Sequence, residues 1–380
     1  GLEKRPKLRF PGFDEPWKMV SLQDISEYRK NKICVSKLKY ISTENMLQNF
    51  AGIIPYTSEE DISGVEFCVG DTLLANIRPY LRKAWLATHD GACSTDVLAL
   101  CPLDITPAFL NNIIEQDRFI DYVMSGVKGS KMPRGDKAHI LAYETAIPSL
   151  LEQEKINSFM QLLHQRIAKI QMEIELLKKY KRGVNNQILS QIDNSYNCRL
   201  GSVCEIVGGG TPDTLHTEYW GNTVEWFTPS EIGKTKYVNN SVRKLSDIGL
   251  DNSSAKLLPI GTVLLTTRAT LGEMSIAKRE CSTNQGFQSL IPHTDRVSSE
   301  YLYYMQIIIK PWCEKYASGN TFREISKSAL SDCIIPIPDR ARQEQIVKLL
   351  SSIDMLIGAA ESISMSLSKI RHGLMQQLFI

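Results

Sequence analysis

From Val127 the chain reads VKGSKMPRGDKAHI, which sets Lys128, Lys131, Arg134 and Lys137 against one acid, Asp136. Four cations in about ten residues suit the neutralisation of phosphates strung along a polyanion. Gly129 and Gly135 would let backbone amides approach such a phosphate closely. A second polar loop, NTFREISKSAL from Asn320, offers Thr321, Arg323 and Lys327 in the corresponding place. Arg78 and Arg268 each follow an apolar, strand-like run, in turns that match one another. A guanidinium there could donate two hydrogen bonds to the O6 and N7 edge of guanine. Each feature has a plainer reading, a solvated loop or an arginine paired with a carboxylate. Recurrence in both halves of the chain favours the binding reading.

Motifs for catalysis fail by contrast. NIRPY, from Asn76, is superficially like the NPPY of amino-methyltransferases, but Arg78 replaces a proline and no FxGxG precedes it. VGGGTP, from Val207, has the glycines of a phosphate loop without the following Gly-Lys-Ser/Thr, and reads as a flexible turn near a strand. Pro338-Asp339 lacks the Glu-x-Lys of a nuclease core. The nine cysteines are scattered with no CxxC pair, and none of the six histidines is paired at i,i+4, so a metal ribbon or histidine site is not expected. No Ser-His-Asp or Cys-His constellation emerges either.

The elements that must position these residues occur twice. QEKINSFMQLLHQRIAKIQMEIELLKKYKRGVNNQIL, from Gln153, aligns without a gap to QEQIVKLLSSIDMLIGAAESISMSLSKIRHGLMQQLF, from Gln343, 190 residues later. Upstream, Ile147-Pro148 answers Ile335-Pro336 after a two-residue shift. GDTLLANIRPYLRKAWLA, from Gly70, resembles GTVLLTTRATLGEMSIA, from Gly261, with one gap that sets Arg78 opposite Arg268. ACSTDVLALCP parallels ECSTNQGFQSLIP, and YISTEN, from Tyr40, matches WFTPSE, from Trp226. A repeat this long is no solenoid. It is a duplicated module-plus-helix unit.

Each module reads as short strands and turns, with Gly70 and Gly261 in strand–turn–strand units. AFLNNIIEQDRFIDYVMSG and SEYLYYMQIIIKPWCEKYASG read as amphipathic helices capped by Gly126 and Gly319. The long stretches carry heptad seams. The first runs Ile156, Met160, Leu163, Ile167, Ile170, Ile174, Leu177, Lys181, Val184, Ile188. The second runs Ile346, Leu350, Ile353, Ile357, Ala360, Ser364, Leu367, Arg371, Leu374, Leu378, so that one basic interruption falls opposite the other. About 35 helical residues make a rod of roughly 50 Å, long enough to space two modules, and the chain order makes the two rods antiparallel. Leu162, Met172, Leu176 and Met355 lie off the seam and are free for a partner.

The totals bound the class. At 380 residues, with 43% hydrophobic and 23% charged residues and a formal charge of +2, the chain suits two or three folded domains. It has no apolar run of the roughly 18 residues a spanning helix needs, and GLEKRPKLRFPGF at its start lacks the apolar core of a secretory signal. A cytoplasmic protein without a membrane partner is the expectation.

In order and duplication these features resemble the specificity subunits of type I restriction–modification enzymes, over essentially the whole chain. The resemblance rests on LRFPGFDEPWKMVSLQDI, on the junctions from IP into QEKI and QEQI, on KYKRGVNNQIL and KIRHGLMQQLF, and on GGGTPDTLHTEYWGNTVEWFTPSEI from Gly208. It implies an α+β fold of two mixed α/β target recognition domains separated by two long antiparallel coiled-coil helices, with pseudo-twofold duplication. The expected segments are 1–147 and 193–337 for the recognition domains and 148–192 and 338–380 for the spacer helices. Each domain would read one half of a split site in double-stranded DNA. The candidate contacts are Ser42, Asn45, Asn76, Arg78, Lys128, Ser130, Lys131 and Arg134 in the first, and Thr228, Ser230, Thr267, Arg268, Asn320, Thr321 and Arg323 in the second. The resemblance assigns this chain no catalytic residue and no cofactor. S-adenosylmethionine would reside on modification (methyltransferase) subunits docked on the helices, and ATP with magnesium on restriction subunits. A protein-assembly scaffold with two protein-binding modules remains the alternative, and a divergent methyltransferase a third.

Overall fold

The computed structural model describes residues 6–129, 131–193, 196–268, 270–319 and 323–379. The chain divides into two units, residues 1–173 with 360–380, and residues 174–359. The unit boundaries fall inside the two long helices.

In the first unit, strands Ser26–Tyr28, Val97–Pro102, Thr72–Ala75 and Ala84–Leu86 form one antiparallel sheet in that order. Strands Lys32–Ser36, Asp61–Phe67, Gly91–Cys93 and Tyr40–Ile41 form a second, closed by a parallel pair. The run TLLA from Thr72 is buried at every residue, because its two faces serve two cores. Leu73 and Ala75 join Ile41, Phe67, Cys93 and Val97 from both sheets. Leu74 faces the other way, with Leu98, Leu100, Phe109, Leu110 and Phe119, where the helices lie.

The second unit repeats the first sheet and the parallel pair of the other, but the remaining strands of that other sheet extend from the opposite side of the pair. Strands Cys204–Gly208, Gln288–Pro292, Val263–Leu265, Met274–Ala277 and Tyr237–Val238 make one sheet; Trp220–Gly221, Arg243–Leu245, Val224–Phe227 and Cys281–Thr283 make the other. Phe227, Leu264, Ala277, Cys281 and Phe287 share its core. Each unit also has a two-stranded ribbon, Lys18–Ser21 with Glu144–Ile147 and Asn197–Arg199 with Ile334–Pro336. Glu144 and Ile334, which open the corresponding strands, are 190 residues apart. The offset therefore holds without a shift, and Ile147-Pro148 corresponds to Ile337-Pro338 rather than to Ile335-Pro336.

The two module helices are each broken. Pro107–Ile114 precedes Asp117–Ser125, and Ser299–Tyr304 precedes Gln306–Tyr316. Gly126 does cap the first pair, without a left-handed φ. The second pair ends at Ala317, and Gly319, at φ 116°, belongs to the following turn.

The long helices run Leu150–Ser190 and Arg340–Leu378. Every seam residue named above is buried or half-buried. In the first unit Ile156 and Met160 share a core with Met375, Leu378 and Phe379. In the second, Lys181 Nζ lies 2.6 Å from Asp354 Oδ1. The start of each helix thus meets the end of the other, which makes them antiparallel. The basic interruptions mark where a helix meets its module. Lys181 sits over the Tyr304 ring at 5.2 Å, and Arg371 pairs with Glu115 at 3.2 Å. Leu162, Met172, Leu176 and Met355 are exposed. The cysteines are unbridged, and burial pushes the Cys93, Cys204, Cys281, Cys313 and Cys333 thiols up to about 12.

Candidate nucleic-acid interface

Backbone pairing gathers the described candidate residues of the first unit into one circuit. In the first unit the basic loop is closed by reciprocal hydrogen bonds between Lys128 and Arg134, at 2.9 and 3.0 Å. Arg134 bridges Ile77, and the Arg78 N–H donates to Pro133 O at 2.8 Å, so the loop lies on the strand-end turn. From there Asn76 N–H donates to Asp96 O, and Ser94 N–H to Ile41 O, which brings in the turn at Ser42. The second unit shares the loop closure and the two turn connections, but its loop meets the strand-end turn through the Glu324 side chain. Ser318 and Glu324 close the loop at 3.0 and 2.9 Å, Thr267 N–H donates to Gly286 O, and Asn284 N–H donates to Phe227 O beside Thr228.

These equivalences correct the pairing of the arginines. Ala75 and Thr266 each donate to the strand that follows the turn, and Asn76 and Thr267 are equivalent in turn. Arg268 therefore stands where Ile77 stands, one residue before the place of Arg78. The two arginines also differ chemically. Arg78 is exposed, at φ 51°, with no ion pair among the described residues. Arg268 Nη2 is held by Glu324 Oε2 at 2.8 Å, an arginine paired with a carboxylate.

The remaining candidates divide into exposed and engaged groups. Lys131 is exposed, with no ion pair among the described residues. Arg134 pairs with Asp96 at 3.0 Å, and Lys128 with Asp136. Lys128 and the amides of His139 and Ala138 hold the Asp136 carboxyl down at about 2; Asp136 thereby caps the helix Lys137–Leu141. The two loop glycines serve the fold. Gly129 takes φ 89°, and a Cβ on Gly135 would meet Asn76 Oδ1 at 2.9 Å. Asn76 is buried, and that oxygen has no hydrogen-bond partner among the described residues.

Asn45 and Thr267 are corrections to the contact list. Asn45 is 6% exposed and its amide is spent on the Ser42 N–H and the Tyr40 carbonyl. Thr267 is fully buried, its hydroxyl 3.5 Å from Glu324 Oε1. Both position the turn rather than present a group. Ser42 is half-buried and hydrogen-bonds Tyr56 OH at 2.7 Å. Thr228 caps a short turn with Glu231, and Ser230 is exposed. Arg323 is exposed and donates to Glu314 O. Ser130, Asn320 and Thr321 lie outside the described residues.

The structure also brings in residues that motif reading passed over. Glu231 stands three residues after Thr228, the spacing of a capping box. The Arg243 guanidinium stacks on Trp220 at 3.5 Å, and Trp226 Nε1 donates to Gly210 O at 3.0 Å. The glycines of VGGGTP serve close packing: a Cβ on Gly209 would fall 2.0 Å from Asn284 O. That segment is a wedge against the 281–285 turn, not the flexible turn expected.

The family description "Type I restriction modification DNA specificity domain" matches residues 193–365. Among curated proteins, the type I restriction enzyme MjaIX specificity subunit of Methanocaldococcus jannaschii is 35% identical over 48% of this chain and 43% of its own length. The chain thus spans less than half of that relative. A putative type I restriction enzyme MjaX specificity subunit of the same organism is 22% identical over 99% of this chain and 96% of its own. Of the solved structures, one described as bearing on assembly and conformational transition of the type I R-M system matches 98% of both chains at TM-score 0.63 and 20% identity. The type I restriction-modification S subunit from M. genitalium matches 99% of both at TM-score 0.59 and 13% identity. These two likenesses concern the fold.

Proposed function

We infer that this chain belongs to the specificity subunits of type I restriction–modification enzymes and is the DNA-recognition subunit of such a complex. Each of its two modules reads one half of a split double-stranded site. The helices set the gap between the half-sites and dock modification subunits on exposed residues such as Leu162, Met172, Leu176 and Met355. Chemistry resides on those partners: S-adenosylmethionine on the modification subunits, ATP and magnesium on restriction subunits. The chain itself contributes binding and register.

One observation carries this reading. The loop closure and the connections between strand-end turn and capped turn recur in both units, while the side chains on them differ. A shared frame with divergent tips is what reading two different half-sites requires. The length of the helices, 41 and 39 residues, or about 60 Å, supports a ruler between them. No described helix is long and apolar enough to cross a membrane.

The assembly-scaffold alternative is separated by salt. Titrating the complex with duplex DNA at rising ionic strength should give a steep linear fall of log K with log salt, about 0.9 per phosphate neutralised. Replacing Lys131 by Ala should lower that slope by about 0.9 across all sequences. A flat salt response, or no DNA binding, would favour the scaffold.

A further inference from the structure

Each unit presents an exposed aliphatic side chain on backbone fastened to its capped turn. In the first unit, Asn45 Oδ1 accepts the N–H of Ser42 at 2.8 Å, and the main-chain carbonyl of Asn45 accepts the N–H of Ile54 at 2.8 Å. In the second, Glu231 Oε2 accepts the N–H of Thr228 at 2.8 Å, and its Oε1 accepts the N–H of Val242 at 2.8 Å. Asn45 and Glu231 hold the same place in equivalent turns. Ile54 is 60% exposed and Val242 86%.

A single exposed aliphatic is ordinary surface and calls for no explanation. This arrangement differs because it occurs twice, at the same position of the turn, in surroundings that share no sequence. Ile54 stands in IIPYTSEE and Val242 in NNSVRKL. The anchor is also made by different groups, a backbone carbonyl in one unit and a carboxylate in the other, so what is common is the turn residue that holds each N–H. Neither side chain gains stability by standing in water.

The neighbours are alike as well. Two residues after Ile54, the Tyr56 ring carries Lys37 at 5.4 Å, and its hydroxyl meets Ser42 Oγ at 2.7 Å; Lys37 also faces Glu60 at 3.6 Å. One residue after Val242, Arg243 stacks on Trp220, and Thr228 and Ser230 hydroxyls lie 3.1 Å apart on the adjoining turn. An apolar tip tied to a hydroxyl-bearing turn, and followed within two residues by one partner of a cation–ring pair, suits a base-pair edge beside a phosphate. In the major groove the apolar group on such an edge is the C5 methyl of thymine.

We propose that Ile54 and Val242 each contact a thymine methyl in the half-site of its own module, with Asn45 and Glu231 as the positioning residues. The proposal rests on the DNA-recognition reading above and assigns it one base in each half-site.

The test uses the complex with its modification subunits and a duplex carrying the sequence that the complex methylates. Thymines are replaced singly by uracil, which removes the methyl and keeps the pairing edge. Binding should weaken about fourfold at one position in each half-site, the effect of one buried methyl. Val242→Ala should weaken binding similarly and abolish the uracil sensitivity of one half-site only; Ile54→Ala should do the same for the other. Both positions are exposed, and unchanged melting temperatures check that the variants fold. Uracil without effect at every thymine, variants that keep the parental sensitivity, or a half-site without an A·T pair would overturn the proposal while leaving the parent reading intact. A complex that methylates no split sequence would remove the parent reading, and this one with it.

Discussion

Gln153 and Gln343 show how much one residue of the repeat decides. Each is 1% exposed at the start of a long helix. Gln153 Oε1 accepts the Thr106 N–H at 3.0 Å while its Nε2 donates to Pro148 O at 3.0 Å; Gln343 accepts from Ser298 N–H at 3.1 Å and donates to Pro338 O at 2.9 Å. Thr106 and Ser298 are the N-caps of the module helices, so one amide locks module to spacer helix. Replacing either glutamine by Ala orphans a buried proline carbonyl and the half-buried N–H of an N-cap, and should cost about 2–4 kcal/mol of stability in denaturant unfolding. A loss below about 0.5 kcal/mol would refute the lock. The arginines invite a different expectation. Arg78 is exposed and unpaired among the described residues, so Arg78→Ala should weaken specific DNA binding by about 1–3 kcal/mol without moving the unfolding midpoint. Unchanged affinity would take Arg78 off the contact list. The glutamines stood out in the sequence because they repeat. The engagement of Arg268 with Glu324 did not, because the 318–324 loop closes through backbone bonds that no motif encodes.

Among the elements, the long helices were the most legible. Period and seam needed only side-chain type, and the seam residues named from spacing are buried or half-buried in the fold. The interruptions at Lys181 and Arg371 were visible but unexplained until the modules were in place. Asp354 accepts from Lys181 at 2.6 Å and from Tyr304 OH at 2.8 Å. Burial among Tyr237, Tyr303 and Tyr304 draws the Lys236 ammonium below its usual value. Asp354→Ala should therefore cost about 1–2 kcal/mol, read by denaturant unfolding of the chain. No shift in midpoint would make this cluster incidental to the packing of the helix on its module. The module strands were less legible. Short strands give little periodicity, and identical triplets mislead: Cys93 and Cys281 both open CST, yet pairing sets Ile41 opposite Cys93 and Phe227 opposite Thr283. The fold equates Cys93 with Thr283, two residues out of step with the letters. The breaks in the module helices escaped for a related reason, since apolar spacing runs on through Glu115 and Met305 while the backbone turns.

For the whole molecule, duplication carries the argument. A chain that repeats its frame and varies its tips should lose or change one half of its specificity when one module is exchanged. Exchanging residues 200–335 for the corresponding module of a relative should alter one half-site and leave the other untouched. The direct test of the central claim is to map methylated bases in cells that express this chain with a cognate modification subunit. The account predicts a split motif, methylated on both strands, that disappears without this chain and changes in one half after the exchange. An active modification subunit in stable complex with this chain that produces no new methylation, or an exchange that changes both halves together, would contradict it.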